Sequence, residues 1–470
     1  MMQKIQKNRM LDMTKGSPAG LLLRFSVPLF LGSLLQQFYN LTDTSIAGHI
    51  LGDQALAEIG ATAALYGLIT NFAIGMTNGF ALAVSQSFGA GNPKKMKQAV
   101  CWMVCLSAIC GAVLTVGFLL VQYQLPAVLQ IPEETAKGAL CYLTVVLAGF
   151  PLTIAYNLEA SLLRAVGNSV TPLLFLLFSS GLNVLMDIWF MGPLKMGVQG
   201  AAAATVLAQG ISAGLGLLYI VRNYPELRFS REELRAGAGF VMEMFWTGLS
   251  MALMVTIYNI GSVILQSSIN ALGSVYIAAQ VGGRRLAEFF YLPGLALGTS
   301  IATYSSQNYG AGCRGRIGKG VKAALLLYGI WWLIAVVLAF FTAPAAVRLI
   351  TGSDNREVIE SAVLYVHISL PVVPPMAALV ILRNMMQGIQ RRIAPLFCSA
   401  LELLGKVIFA LWVVPAYGYP GVCVCEPVTW VVCFLFISGA AFLCRGEFRD
   451  EGKAEPGECC ADDSCEENMA

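Results

Sequence analysis

SQSFGAGNPKKMKQAV (residues 85–100) and SQNYGAGCRGRIGKGV (residues 306–321) are one phrase written twice, 221 positions apart. Ser-Gln, an aromatic residue, Gly-Ala-Gly and the closing Val coincide, and both copies are basic loops that follow a long apolar run. Other pairs keep the same order along the chain. Tyr39-Asn40 answers Tyr258-Asn259, Leu51-Gly52 answers Leu272-Gly273, Thr171-Pro172 answers Ala394-Pro395, and Gly197-x-x-Gly200 answers Gly418-x-x-Gly421. A chain that repeats in order over most of its length is built as two like halves.

The composition says what kind of halves these are. Of 470 residues, 57% are hydrophobic and 12% charged, against about 25% charged in an average soluble protein. Apolar stretches long enough to span a bilayer fall near 21–47, 54–84, 98–122, 138–161, 169–191, 197–222, 240–268, 274–305, 320–346, 358–387, 393–415 and 418–444. Twelve spans predict an all-α polytopic membrane protein. Lys and Arg then orient it. One set of loops and both ends hold 22 of the 30 basic residues, the opposite loops hold 4, and Arg284, Arg285, Arg383 and Lys406 fall inside spans. Basic loops face the cytoplasm, so both termini are expected there, in the plasma membrane. Six spans per half is an even number, so the halves form parallel repeats about an axis along the membrane normal.

The expected domains are a cytoplasmic N-terminal segment (1–20), a six-helix bundle (21–222), a cytoplasmic linker (223–239), a second six-helix bundle (240–444) and an acidic tail (445–470). The tail's composition reads as disordered. No cleavable signal pattern opens the chain. The 13 cysteines sit mainly in apolar segments and in the tail, as small hydrophobes of a reduced compartment rather than a disulfide framework.

The first span ends in LLQQFYNLTDTSIAG (34–48), where Gln36, Asn40 and Asp43 form one polar stripe on a helix. An ionisable residue inside a span is costly and marks a functional site. The fifth span supplies a second, Asp187, with Asn183 on the same face four residues earlier. The first and fifth spans run in the same direction, and both aspartates come out in the outer half of the bilayer. Two carboxylates with amide and hydroxyl oxygens suit a small hard cation such as sodium. Crowding and desolvation also suit reversible protonation of one carboxyl. The residues alone leave both open.

Together these features resemble the multidrug and toxic compound extrusion (MATE) family. The resembling residues are Pro28 followed by QQFYNLTDTSIAGHILG, the two SQ-x-[FY]-GAG loops, LLRAVGNSVTP after the fourth span, NVLMD in the fifth and MGVQGAAAAT at the sixth. The likeness covers nearly the whole chain up to about residue 445 and is closest to the DinF-like branch. It implies a cation-coupling site at Asp43, Asn183, Asp187 and Thr205. Residues 246–269 hold no acidic residue, so the seventh-span carboxylate of the NorM-like branch is not implied. The resemblance further implies a secondary active antiporter that exports small, often cationic and amphipathic compounds in exchange for Na+ or H+. Such a protein has no cofactor beyond the coupling ion and works as a monomer in the lipid bilayer, without nucleic acid. A lipid-linked saccharide flippase of the same superfamily is the alternative, kept alive by the arginines inside the second-half spans.

Candidate cavity residues are Gln36, Tyr39, Asn40, Tyr156 and Asn157 in the first half, with Tyr258, Met254 and Phe289 in the second. Met and aromatic faces adapt to varied ligands, and aromatic rings attract cations. Glu402 and Lys406, four apart, are expected to pair and to tie the tenth and eleventh spans through Arg383, and Arg284 is expected to pair with Glu288. Substrate contact is the second role open to these charges. Glu159, five residues before Arg164, is expected to tie the cytoplasmic end, and Glu426 has no expected partner. No nucleophile, metal cluster or phosphate-binding loop of the G-x-x-x-x-G-K-[ST] type is present in the sequence, which argues against an enzyme or an ATP-driven pump.

Overall fold

A computed structural model of the chain describes residues 10–128 and 131–448. Residues 1–9 of the N-terminal segment, and the tail from 449 with its expected disorder, lie outside the described residues. Among those described, every regular element is helical. In order they are α1 (Pro18–Leu51), α2 (Asp53–Gly89), α3 (Pro93–Val121), α4 (Glu133–Ala148), α5 (Phe150–Ala165), α6 (Val170–Met191) and α7 (Val198–Asn223), followed by α8 (Ala238–Asn270), α9 (Ser274–Gly310), α10 (Arg314–Thr351), α11 (Arg356–Ser369), α12 (Val373–Gly388), α13 (Ile393–Ile408) and α14 (Tyr419–Leu443). Short helical turns complete them.

Ten helical runs are long and apolar enough to cross a bilayer, with α11–α12 one run and α13 continuing through a π-helical turn to Tyr417. The bent pair α4–α5 makes an eleventh, its two halves at 49°. Gly149 sits at that bend with the methyl groups of Val206 packed against it. Pro151 follows in the first turn of α5, where its missing N–H costs nothing. The one remaining expected span, 274–305, corresponds to α9. At 37 residues α9 is long enough, but it is not among the apolar runs, and it carries Arg284, Arg285 and Glu288.

The helices gather into two compact units. One contains Leu31–Ala252 with the described residues before Asp12. The other contains Asp12–Phe30 with the described residues from Leu253 onward. This departs from the expected bundles 21–222 and 240–444. The start of α1, which includes Pro28, belongs to the second unit, and the first half of α8 belongs to the first. The expected linker 223–239 falls in the first unit and contains two 3-10 turns, Pro225–Leu227 and Arg231–Leu234. Ser230 caps the second turn, and its backbone N–H and hydroxyl both donate to Glu233, which holds that carboxyl below its usual range.

Inside the first unit, backbone approach explains why α8 packs there. A Cβ on Gly75 would stand 2.5 Å from the Ala252 Cα, and one on Gly79 would stand 2.5 Å from the Gly248 Cα. Phe80 and Met76 of α2 join Met103, Leu163, Val166 and Met244 in one core cluster. A second cluster, with Ala47, Ile69, Leu147, Phe150, Met191 and Ala202, packs α1, α2, α4, α5, α6 and α7.

The sequence repeat returns as a geometric one. After α2, Ala90 N donates to Gln86 O and Gly91 N to Phe88 O, and Gly91 has φ +60°. After α9, Ala311 N donates to Gln307 O and Gly312 N to Tyr309 O, and Gly312 has φ +76°. Left-handed φ is cheap only for glycine, so the Gly-Ala-Gly phrase encodes the same helix-ending turn twice. Gly52 with Gly273, and Gly197 with Gly418, repeat positive φ at the same spacing of 221.

Candidate functional site

The polar residues of α1, α6 and α7 meet inside the first unit. Asp187 is fully buried and Asn183 is 1% exposed, both on the inward face of α6. Their four-residue spacing places them one turn apart. Asn183 Nδ2 donates to Thr205 Oγ1 of α7 at 3.3 Å, and Thr205 Oγ1 donates in turn to Ala201 O at 3.2 Å. Asp43 of α1 brings its carboxyl against that of Asp187. Tyr39, one turn before Asp43, stands beside Thr205 and both aspartates. Thus Asp43, Asn183, Asp187 and Thr205 lie together.

What the cluster lacks matters more than what it has. Both oxygens of Asp187, Oδ1 of Asp43 and Oδ1 of Asn183 are buried, and none receives a hydrogen bond from the described residues. Two adjoining carboxylates cannot both be ionised in a dry site without a compensating charge. Either a proton shared between them or a small cation held by the four oxygens removes the conflict. The residue set, with carboxylate, amide and hydroxyl oxygens, fits a hard monovalent ion. Tyr142 of α4, 9% exposed, and Tyr66 of α2 complete the surroundings. Tyr142 escaped the sequence reading because a lone tyrosine in an apolar helix carries no spacing signal.

The second unit holds a different network. Lys406 of α13, 1% exposed, lies 3.2 Å from Ser262 Oγ of α8, 3.8 Å from Glu402 Oε1 and 3.8 Å from the ring centre of Tyr258. Arg383 of α12 donates to Ser399 Oγ at 2.9 Å and to Glu402 Oε2 at 3.2 Å. Arg284 meets Glu288 Oε1 at 3.3 Å, both half-buried. Glu426, without an expected partner, accepts a hydrogen bond from Tyr365 Oη at 2.7 Å. A phenol from α11, far away in sequence, was invisible to helical spacing rules.

The candidate cavity residues scatter. In the first unit, Gln36 and Asn40 are exposed while Tyr39 joins the acidic cluster. Asn157 donates to Thr153 O on its own helix, and Tyr156 stands by Glu159. In the second unit, Met254 Sδ accepts from Gln387 Nε2 and Phe289 packs edge-on against Phe290. Glu159, expected to tie the cytoplasmic end, has no bond to Arg164, whose Nη2 donates to Asn78 Oδ1 at 3.1 Å and to Ser161 Oγ at 2.9 Å.

Comparison with known proteins places this geometry. A family model described as MatE matches residues 28–189 and 250–412. The probable multidrug resistance protein YpnP of Bacillus subtilis (strain 168) is 28% identical over 308 residues, 65% of this chain and 68% of its own length. The multidrug export protein MepA of Staphylococcus haemolyticus (strain JCSC1435) is 20% identical over 345 residues, 73% of this chain and 76% of its own. Among solved structures, a MATE crystallised in complex with MaL6 superposes with a TM-score of 0.85 at 20% identity, over 92% of this chain and 98% of that one. A MOP superfamily transporter from Pyrococcus furiosus superposes with a TM-score of 0.83 at 21% identity, over the same shares. At these identities the structural likeness establishes the fold, twelve membrane helices in two bundles.

Proposed function

We propose that this chain, which belongs to the MatE family and is therefore a multi-pass membrane transporter and not an enzyme, works as a secondary antiporter. It exports small, often cationic and amphipathic compounds in exchange for Na+ or H+. The observation that carries the proposal is the half-buried Asp43 beside the fully buried Asp187, with four buried oxygens of the cluster unsatisfied among the described residues. A site that needs a cation or a proton for its own electrostatic balance links ion occupancy to the positions of the helices that carry it.

Three of those helices take part. α6 supplies Asp187 and Asn183, α7 supplies Thr205, and α1 supplies Asp43. An ion between them draws α1 toward α6. α1 also carries Pro28, fifteen residues before Asp43, which removes one helical hydrogen bond and gives the helix a place to bend. Ion binding at one end of α1 then acts through that bend, and the two six-helix bundles alternate access around the substrate path. The acidic cluster in the first half and its absence from the seventh span support the DinF-like branch. The 22-to-4 distribution of basic residues supports cytoplasmic termini in the plasma membrane, and a single chain carries the whole site, consistent with a monomer.

A saccharide flippase needs free cationic groups for phosphate. Arg383, Lys406 and Arg284 are each engaged by a carboxylate of their own unit, which favours the antiporter. The test is efflux of ethidium from proteoliposomes under sodium and proton gradients imposed one at a time. Efflux driven by one of them identifies the coupling ion. Absence of efflux under either gradient, with the protein correctly inserted, overturns the proposal.

A further inference from the structure

Among the described residues of the first unit, Glu159 is a buried carboxyl of a membrane helix that the coupling site leaves unexplained. It is 8% exposed on α5, and among the described residues no hydrogen bond or ion pair engages it. Its carboxyl lies directly against Gly216 of α7, where any Cβ would collide with Oε2. The glycine makes room for an acid that has no cationic partner among the described residues.

The acid opens on a cavity. A groove of about 680 Å³ runs between α3, α5, α7 and the 3-10 turn after α7, and Glu159 is part of its wall. The rest of the wall is almost wholly apolar, with Val104, Ala108, Ile154, Leu158 and Ile220. Ser107 of α3 lines the same groove. Its hydroxyl is buried and receives no partner among the described residues. Arg228, also in the wall, turns its Nε to Val221 O at 2.7 Å. The volume lies within the range of sites for drug-sized molecules, about 300–1,000 Å³.

We infer that this groove is a binding site for a free amphiphilic organic cation, distinct from the acidic cluster at Asp43 and Asp187. The apolar body of the ligand fills the groove, and its positive nitrogen lies at the Glu159 carboxylate. Charge complementarity selects the ligand class: a carboxylate alone in an apolar wall is costly, and a ligand cation repays its desolvation. α3, α7 and the bent pair α4–α5 are long and apolar enough to cross a bilayer, so a lipophilic cation dissolved in the bilayer would reach the groove between them without crossing water. An aminophospholipid fits less well, because the basic residue of the wall, Arg228, already turns its Nε to Val221 O and the rest of the wall offers a phosphate only apolar surface and Glu159.

Photolabelling tests the site in the full-length protein, held in phosphatidylcholine nanodiscs. The probe is ethidium monoazide, applied without any ion gradient, so the result is independent of whether Asp43 and Asp187 couple transport. Labelled peptides from 93–121 or 150–165 are expected, suppressed by excess ethidium but not by uncharged pyrene. Glu159→Gln should cut that labelling at least tenfold, and Ala108→Phe, which fills the groove, should do the same. Equal labelling in a Glu159→Gln protein that melts like wild type, absence of label from both segments, or suppression by pyrene would each overturn the inference. Suppression when phosphatidylethanolamine replaces phosphatidylcholine would also overturn it, since the occupant would then be a lipid. If a variant fails to fold, the two competition arms on the wild-type protein still decide.

Discussion

The contact of α1 with α6 and the contact of α8 with α13 hold the same place in the repeat, yet they carry opposite charge. In the first unit Asp43 faces Asp187, and the cluster's oxygens lack donors. In the second, Ser262 stands where the Tyr-Asn register puts the counterpart of Asp43, and Lys406 lies on it at 3.2 Å. Lys406 is also held by Glu402 and by the Tyr258 ring. One half owns a tethered ammonium at this contact. On the proposed mechanism the other takes its cation or proton from solution. Two halves alike in sequence thus differ in charge at the same place in the repeat.

The largest effect expected on breaking this comparison is loss of coupling. Asp43→Asn or Asp187→Asn should reduce gradient-driven ethidium efflux to the protein-free background, because either change ends the need for a counter-charge. Thermal melting of the same variants should stay level or rise, since repulsion between carboxylates is removed. Wild-type efflux rates in both variants would reduce the pair to packing residues.

The opposite sign is expected in the second unit. Lys406→Met removes the buried partner shared by Glu402, Ser262 and Tyr258, and should cost about 3 kcal/mol of stability, read as a lower melting temperature. Adding Glu402→Gln should recover part of that loss. A Lys406→Met protein that melts like wild type would show that the tethered charge contributes no net stability.

A smaller effect tests the shared scaffold. Gly79→Val pushes a side chain into the Gly248 backbone and should cost about 2 kcal/mol through overpacking. Smallest are Gly91→Ala and Gly312→Ala, each forcing a left-handed residue and expected to cost about 1 kcal/mol. The two losses should be similar, because the turns make the same bonds. Unequal melting shifts would show that the repeated turn is held differently in the two halves.

Much of the fold was legible because its signals are local. Apolar length marks the spans, Gly-Ala-Gly marks the turn, and the recurrence of Gly52, Gly91 and Gly197 at 273, 312 and 418 marks the repeat. Helical spacing also put Asn183 with Asp187, and Glu402 with Lys406. It failed wherever the partner comes from another helix. Proximity along the chain does not make Arg164 a partner of Glu159: Arg164 turns to Asn78, and Glu159 lines a groove. Glu426 found Tyr365, 61 positions away.

By itself, then, the sequence determined a twelve-span membrane protein of repeated halves and which residues carry its intramembrane charge. Those properties follow from hydropathy and period, which neighbouring residues express without help. Only the tertiary structure decided which of those charges are satisfied. It showed that α1 and α8 each divide their length between the two units, that Lys406 is saturated, and that Asp187 and Glu159 are not. The physical reason is that the cost of a buried charge depends on which donors and cations reach it from other helices, and no pattern along one helix contains that information.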